Sequence, residues 1–399
     1  MSSPVDKSIV IVGGCGHVGL PLAVALSASG STVSSYDVNH SAVTLVNSGV
    51  APFFENGLDQ LLNHELSAKR FSATTDMGVI GNADIIIVVI GTPVDEHLNP
   101  DPASIRKVLE EIQPFFKDGQ LLVLRSTIYP GVTQMVENFL IASGNQIDVA
   151  FCPERIAEGY ALDELRSLPQ IIGSRTAESR ARAEQLFVRI APSIIHVSPE
   201  EAELAKLFTN TWRYLKFAAA NQLYMIANDA GVDFERVRMA VTTSYPRASD
   251  MPGAGFAAGP CLLKDTMQLA AFNNNQFTLG HASMMVNEGL PLYLVSQVEK
   301  RYELKKLTVG ILGMAFKGEN DDTRSSLSYK LKHVLDFRCK KVICADENVR
   351  DDDSLIPESQ LISEADVIFI GAAHKRYRAI ECTKPIIDIW NLRGNGVLI

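Results

Sequence analysis

The sequence predicts an α/β protein: two Rossmann-like doubly wound domains flanking a central all-helical domain. Three observations carry this expectation. Apolar strands alternate with helical stretches through the first half of the chain, as in βαβ units. Glu200 to Gly231 is a long run with helical apolar spacing and no internal Pro or Gly. From Lys305 the opening pattern of strand, glycine, strand and aspartate returns, a weak internal repeat. The expected boundaries are 1–198, 199–303 and 304–399.

Each element has its own reason. Ser8-Ile-Val-Ile-Val-Gly13 is a continuous apolar run, the mark of a strand buried on both faces of a parallel sheet. Gly14-Cys-Gly16-His17-Val18-Gly19 follows, then an apolar helix to Ser29 that Gly30 closes as a C-cap. Further strands are expected at Thr32–Tyr36, ending at Asp37, at 83–91, running into Thr92-Pro93, and at 121–127. Helix-like sequence continues from Pro199 to about Lys300, a spine of the kind that packs against a second subunit. The repeat then supplies strands at 307–313, 341–346 and 365–371. Each α/β domain is able to hold a nucleotide at the carboxyl ends of its strands.

Composition narrows the function class. The 399 residues are 46% hydrophobic and 21% charged, ordinary for a globular chain. A net charge of −9 without a long basic tract argues against a nucleic-acid partner. The longest aliphatic run, Ile85–Ile90, falls far short of the roughly 20 residues that span a bilayer. The opening Met1-Ser-Ser-Pro-Val-Asp-Lys is not signal-peptide-like, so a cytoplasmic protein with no membrane partner is expected. Six scattered cysteines without a Cys-x-x-Cys pair read as free thiols, not as a disulfide framework or a metal site. Cys339, Cys344 and Cys382 are expected to be buried small hydrophobes, whereas Cys152 is placed to line a site.

Gly14-x-Gly16-x-x-Gly19, between a strand and a helix and followed by Asp37, is a dinucleotide fingerprint. The glycines let a pyrophosphate approach the helix N-terminus. Asp37 suits a ribose diol and repels a 2′-phosphate, which favours NAD over NADP. The alternative is a glycine turn without cofactor.

Gly255-Phe256-Ala-Ala-Gly259-Pro-Cys261-Leu-Leu-Lys264-Asp265 sets a cysteine in a small-residue loop beside a cation and a carboxylate. A nearby ammonium raises a thiol's thiolate fraction, so Cys261 is the candidate nucleophile. Glu203, Lys206 and Asn210 share one helical face in an otherwise apolar run. They form either a solvated face with an i,i+3 ion pair, or a cation and an amide aimed at a developing alkoxide. Glu154 and Glu158 follow a strand in loop position, as acid–base candidates or surface charges. Lys317 and Arg324 lie where the second α/β domain has its phosphate turn, and suit a phosphate-bearing ligand or a polar loop.

Taken in order, these motifs resemble the nucleotide-sugar dehydrogenase family, which includes UDP-glucose, UDP-N-acetylhexosamine and GDP-mannose 6-dehydrogenases. The resemblance runs through the glycine motif, Gly91-Thr92-Pro93, Ser126-Thr127-x-x-Pro130-Gly131-x-Thr133 and Pro153-Glu154. It continues through Glu203-Leu-x-Lys206-x-x-x-Asn210, Gly259-x-Cys261-x-x-Lys264-Asp265 and Ala315-Phe316-Lys317 to Asp322-x-Arg324-x-Ser326. It implies a four-electron oxidation of a sugar C6 alcohol to the carboxylate with NAD. The middle domain would form a homodimer or a higher homo-oligomer, and the C-terminal domain would bind a UDP-sugar.

By motif, Cys261 would carry the thiohemiacetal and thioester, with Lys206 and Asn210 on the oxyanion. Glu154 and Asp265 would activate and orient water, and Thr127 would line the nicotinamide site. Gly14, Gly16, His17, Val18, Gly19, Asp37, Thr92, Glu158 and Arg324 would contact NAD. Lys206, Asn210, Arg247, Phe256, Gly259, Lys264 and Lys317 would contact substrate. The chain departs from the family pattern at Ala257-Ala258 and at Asp388-Ile-Trp390-Asn391, where relatives tend to carry an arginine.

Pro153-Glu154-Arg155 and Tyr245-Pro246-Arg247 look closer to the N-acetylhexosamine branch. Cys261-x-x-Lys264-Asp265 looks closer to the UDP-glucose and GDP-mannose branches. The balance falls to a UDP-N-acetylhexosamine, with UDP-glucose as the alternative. A two-electron β-hydroxyacid dehydrogenase needs no cysteine and no second nucleotide domain. A non-catalytic NAD-binding protein needs neither Lys206 and Asn210 nor Cys261.

Overall fold

The computed structural model describes residues 7–92 and 103–399, so Pro93 of the Gly91-Thr92-Pro93 motif lies outside the described residues. The chain forms two compact units, Met1–Thr209 and Asn210–Ile399.

In the first unit the order is β1 (Ser8–Val12), α1 (Gly19–Ala28), β2 (Thr32–Tyr36), α2 (His40–Asn47), α3 (Leu58–Ser67), β3 (Phe71–Thr74), β4 (Ile85–Val88) and α4 (Ala103–Ile112). There follow β5 (Leu121–Leu124), α5 (Val132–Ala142), β6 (Asp148–Phe151), α6 (Ala161–Ser167), β7 (Gln170–Ser174), α7 (Ala177–Phe187) and β8 (Ile194–Val197). The eight strands lie in the order β3-β2-β1-β4-β5-β6-β7-β8. The first six are parallel; β7 joins β6 antiparallel and β8 follows β7 parallel. This is the doubly wound order that places a dinucleotide at the switch between β1 and β4. The apolar runs become β1, β4 and β5 because both sheet faces are covered, and Ile85–Val88 and Leu121–Leu124 are wholly buried. The strands end earlier than the runs suggest. Gly13, Thr92, Ser126 and Thr127 therefore stand in the loops beyond the carboxyl ends of β1, β4 and β5.

Helix α8 (Pro199–Asp229) is the long run without Gly or internal Pro, with Pro at its first position, where no N–H is needed. Gly231, with φ +71°, follows its end. The second unit continues with α9 (Phe234–Thr242), α10 (Leu262–Phe272), α11 (Thr278–Glu299), β9 (Thr308–Leu312), α12 (Leu327–Asp336), β10 (Lys341–Ala345), α13 (Glu358–Glu364), β11 (Val367–Ile370) and β12 (Ile386–Ile387). Its four strands are parallel in the order β10-β9-β11-β12. Side chains Asp233 and Ser326 cap α9 and α12. One core joins Ala220 and Tyr224 of α8 and Leu290 and Leu294 of α11 to Val309 and Ile311 of β9 and Leu331 of α12.

Candidate active site

In the first unit the phosphate turn is shaped by exclusion. A Cβ on Gly14 would lie 2.5 Å from Ser35 Oγ, and one on Gly19 2.4 Å from the Gly13 carbonyl oxygen. These two glycines are required by the protein's own packing. Gly16 is exposed, and a Cβ there would meet nothing closer than 3.8 Å, so its missing side chain leaves room for a ligand rather than for the protein. Val18 stands at the N-terminal boundary of α1, and His17 stacks on Phe53 at 4.1 Å. Asp37 is half-buried; its Oδ2 accepts from Cys15 N at 3.0 Å and its Oδ1 from Asn39 N at 3.0 Å. The turn, the start of α1 and this carboxylate fit NAD: backbone N–H groups for the pyrophosphate and an anionic acceptor for a ribose diol.

Around the neighbouring strand ends, Ser126 Oγ accepts from Ile90 N at 2.8 Å, tying the loop of Thr92 to that of Thr127. Glu203 is buried on α8. Its carboxylate accepts from Gly131 N at 2.7 Å, Thr133 N at 2.8 Å and Thr133 Oγ1 at 2.6 Å. Glu203 is thus spent on the N-terminus of α5, an arrangement that the helix dipole favours. It forms no ion pair with Lys206. Lys206 is buried and enters no ion pair among the described residues.

Glu154 follows β6 and is clamped. Oε1 accepts from Arg155 N at 2.7 Å and Ile156 N at 3.0 Å, and Oε2 accepts from Arg125 Nη2. Arg125 is fully buried, also donates to Cys152 O and Gln170 Oε1, and lies over the Phe187 ring. Sequence reasoning passed over Arg125, although a charged residue ending the apolar run Leu121–Leu124 was the available signal. It also passed over Glu55, which accepts from Gly159 N at 2.7 Å and Ala161 N at 2.9 Å and so fixes the turn after the half-buried Glu158.

In the second unit, Cys261 is exposed and stands at the N-cap position of α10. The N–H groups of a first helical turn favour negative charge at that position. Asp265, one turn on, is fully buried. Its Oδ2 accepts from Asn210 Nδ2 at 2.5 Å, while Oδ1 has no hydrogen bond among the described residues and lies 3.7 Å from Lys264 Nζ. Asp265 is thus a buried carboxylate with one oxygen hydrogen-bonded and the other beside an ammonium.

The loop before the cysteine is held from three sides. Asn221 binds both backbone groups of Gly255 at 3.0 Å, Phe256 meets Trp390 edge-on, and Gly259 N donates to Ser325 O at 3.2 Å. Gly259 has φ +101°, and a Cβ there would lie 2.7 Å from the Phe316 ring, so only glycine fits. Trp390 packs on this loop and donates to Ile370 O at 3.0 Å. Lys317 is half-buried with its ammonium over the Phe316 ring, Arg324 is exposed and paired with Asp322, and Arg247 is exposed over Tyr245.

The other thiols separate by burial. Cys15 is pushed up to about 12 by burial and then by Asp37, and Cys152 and Cys344 to about 12 by burial. Cys152 is fully enclosed and lines no open site. Cys339 and Cys382 are half-buried rather than buried, because they lie outside the strands and helices.

Three family models match in succession: the UDP-glucose/GDP-mannose dehydrogenase family's NAD binding domain over 7–191, central domain over 200–289 and UDP binding domain over 310–394. A UDP-N-acetyl-D-mannosamine dehydrogenase of Methanococcus maripaludis is 30% identical, over 82% of this chain and 77% of that one. The chain belongs to the UDP-glucose/GDP-mannose dehydrogenase family. It is an NAD-dependent nucleotide-sugar dehydrogenase. A UDP-N-acetyl-D-mannosamine dehydrogenase of Pyrococcus horikoshii is 29% identical, over 93% of this chain and 90% of its own. The structure of a UDP-glucose dehydrogenase from Pyrobaculum islandicum superposes with a TM-score of 0.89 at 26% identity, covering 97% of this chain and 95% of that one. No helix among the described residues is long and apolar enough to cross a membrane.

Proposed function

We propose that this dehydrogenase oxidises the C6 alcohol of a UDP-N-acetylhexosamine to the uronate, with UDP-N-acetyl-D-mannosamine as the first candidate. The observation that carries the chemistry is the exposed Cys261 at the start of α10, one turn before a buried carboxylate held by Asn210. The acetamido sugar is supported by the relatives from Methanococcus maripaludis and Pyrococcus horikoshii, together with Pro153-Glu154-Arg155 and Tyr245-Pro246-Arg247. UDP-glucose is the second reading, favoured by the Pyrobaculum islandicum likeness.

NAD, when bound, supplies the acceptor for each of two hydrides. The residues do the rest. Loss of a hydride from C6 and of the proton from its hydroxyl gives an aldehyde, and the Cys261 sulfur adds to its carbon while the oxygen takes up a proton, giving a thiohemiacetal. Loss of the second hydride and of the hydroxyl proton gives a thioester. Water attacks the thioester carbonyl, the C–S bond breaks, and the carboxylate and thiol are released. Lys206 and Asn210 stabilise the oxyanion at each stage. Asp265 Oδ1, which has no hydrogen bond among the described residues, orients the water and takes its proton. Glu154, with both oxygens bonded, holds the loop and the local charge. Thr127 and Thr92 line the nicotinamide side, with Glu158 and Arg324 as further cofactor contacts. Arg247, Phe256, Gly259, Lys264 and Lys317 contact the UDP-sugar.

The proposed division is 1–198 for NAD, 199–303 for dimerisation and 304–399 for the nucleotide sugar. Exposed Trp212, Leu223 and Ile226 on α8 support a homodimer formed through that helix, and the proposed location is the cytoplasm. A substrate panel tests the sugar: UDP-N-acetylmannosamine is expected to reduce NAD with the highest kcat/KM, ahead of UDP-N-acetylglucosamine and UDP-glucose. Faster turnover of UDP-glucose would transfer the assignment to the second reading.

A further inference from the structure

The internal repeat extends to one carboxylate, and the two copies have diverged in a way that bears on function. Asp37 follows β2 and binds the N–H of Cys15 in the loop after β1. Asp346 follows β10 and binds the N–H groups of Met314 at 2.8 Å and Ala315 at 3.0 Å in the loop after β9. The two aspartates hold equivalent positions, yet Asp37 is half-buried and Asp346 is only 4% exposed.

His374 makes the difference. Its ring is fully buried, and Nε2 lies 3.1 Å from Asp346 Oδ2. Asp346 Oδ1 accepts from Asn348 N at 3.0 Å, so both oxygens are taken from within the protein. The other ring nitrogen, Nδ1, accepts from Glu319 N at 3.0 Å, which assigns the proton to Nε2 and makes it the donor to Asp346. Tyr377 meets the ring edge-on at 5.4 Å and keeps it from turning. A donor thus stands where the fingerprint carboxylate of a dinucleotide domain would meet a ribose diol. One Asp–His pair ties together the three loops that follow β9, β10 and β11.

We propose that His374 is a positioning residue for the nucleotide-sugar site. It closes the ribose position of the second α/β domain to a dinucleotide. It commits Asp346 to one end of the segment 314–319 while its own Nδ1 holds the other end, at Glu319. Phe316, against Gly259 of the cysteine loop, and Lys317 lie between these two anchors. The proposal rests on the reading of Lys317 as a nucleotide-sugar contact.

The test uses the full chain with UDP as the probe, and the variants His374→Leu and His374→Gln. His374→Leu removes the ring's bonds to Asp346, Glu319 and Asn348. It is expected to weaken UDP binding, and to raise the KM for the UDP-sugar, by about tenfold, the loss of roughly one buried hydrogen bond. The KM for NAD should move less than twofold and kcat less than the sugar KM. His374→Gln retains a donor toward Asp346 and should recover part of the affinity. Hydrogen exchange of the 314–319 amides should accelerate in His374→Leu. A folded His374→Leu protein with unchanged UDP affinity and unchanged exchange would overturn the proposal. So would equal losses toward NAD and UDP-sugar, which mark a merely structural role. If the unaltered protein binds no UDP, the functional reading fails instead, and the exchange of 314–319 alone decides whether His374 positions that segment.

Discussion

Alkylation of the six thiols reads the assignment of Cys261 directly. Cys15, Cys152 and Cys344 are pushed up to about 12, by burial in each case and for Cys15 also by Asp37. At pH 8 a thiol of that kind is ionised to about one part in ten thousand, whereas a thiol with the ordinary value of about 8.5 is roughly one quarter ionised. The reactive fraction therefore differs by roughly 2000-fold, before enclosure slows access further. Cys339 is raised by burial and half-buried, and Cys382 is half-buried. Cys261 alone among the six is exposed. With limiting iodoacetamide and peptide mass spectrometry, Cys261 should be labelled first, and activity should fall in step with its labelling. Cys339 and Cys382 should follow, and the three buried thiols should stay unmodified until the protein unfolds. Early labelling of Cys152, or inactivation that tracks Cys339 or Cys382, would refute the reasoning.

Asn210→Ala leaves the Asp265 carboxylate, 0% exposed, without its hydrogen bond. A stability loss of about 1–3 kcal/mol is expected in denaturant titration, and with the oxyanion donor gone, a fall in kcat of roughly 10²–10³. Burial pushes the Asp346 carboxyl up, but the hydrogen bond from His374 and the amides of Ala315 and Asn348 outweigh it, leaving it below its ordinary value. Because the folded value is the lower one, this contribution is fully present above about pH 4 and is lost as pH falls through the folded value. The acid limb of a Tm–pH curve should therefore be flatter in Asp346→Asn than in the unaltered protein.

The fold was largely legible because its signals are local. Runs such as Ile85–Val88 and Leu121–Leu124 are apolar throughout, and a strand covered on both faces needs nothing more to announce it. Gly14, Gly19 and Asp37 stand at spacings that the β1–α1–β2 geometry demands. The edges were less legible, since strand ends depend on where pairing stops, and β4 stops at Val88 although the apolar run continues to Ile90. The supports of the candidate site were hidden because each joins residues far apart in sequence. Glu203 looked like half of an ion pair with Lys206, but its carboxylate is spent on an α5 terminus 70 residues earlier. Glu154 looked like an acid–base group, and only the fold brings Arg125 to it, across 29 positions. Asp346 and His374 lie 28 apart, and the repeat predicted an aspartate there without the histidine that closes it.

The central claim is that one thiol carries a sugar through two oxidations, and the stoichiometry of NAD reduction tests it most directly. With UDP-N-acetylmannosamine in limiting amount, the account predicts two NADH for each uronate formed, no free aldehyde, and no net turnover in Cys261→Ser despite unchanged NAD binding. One NADH per sugar with release of an aldehyde, or full acid production by Cys261→Ser, would contradict it.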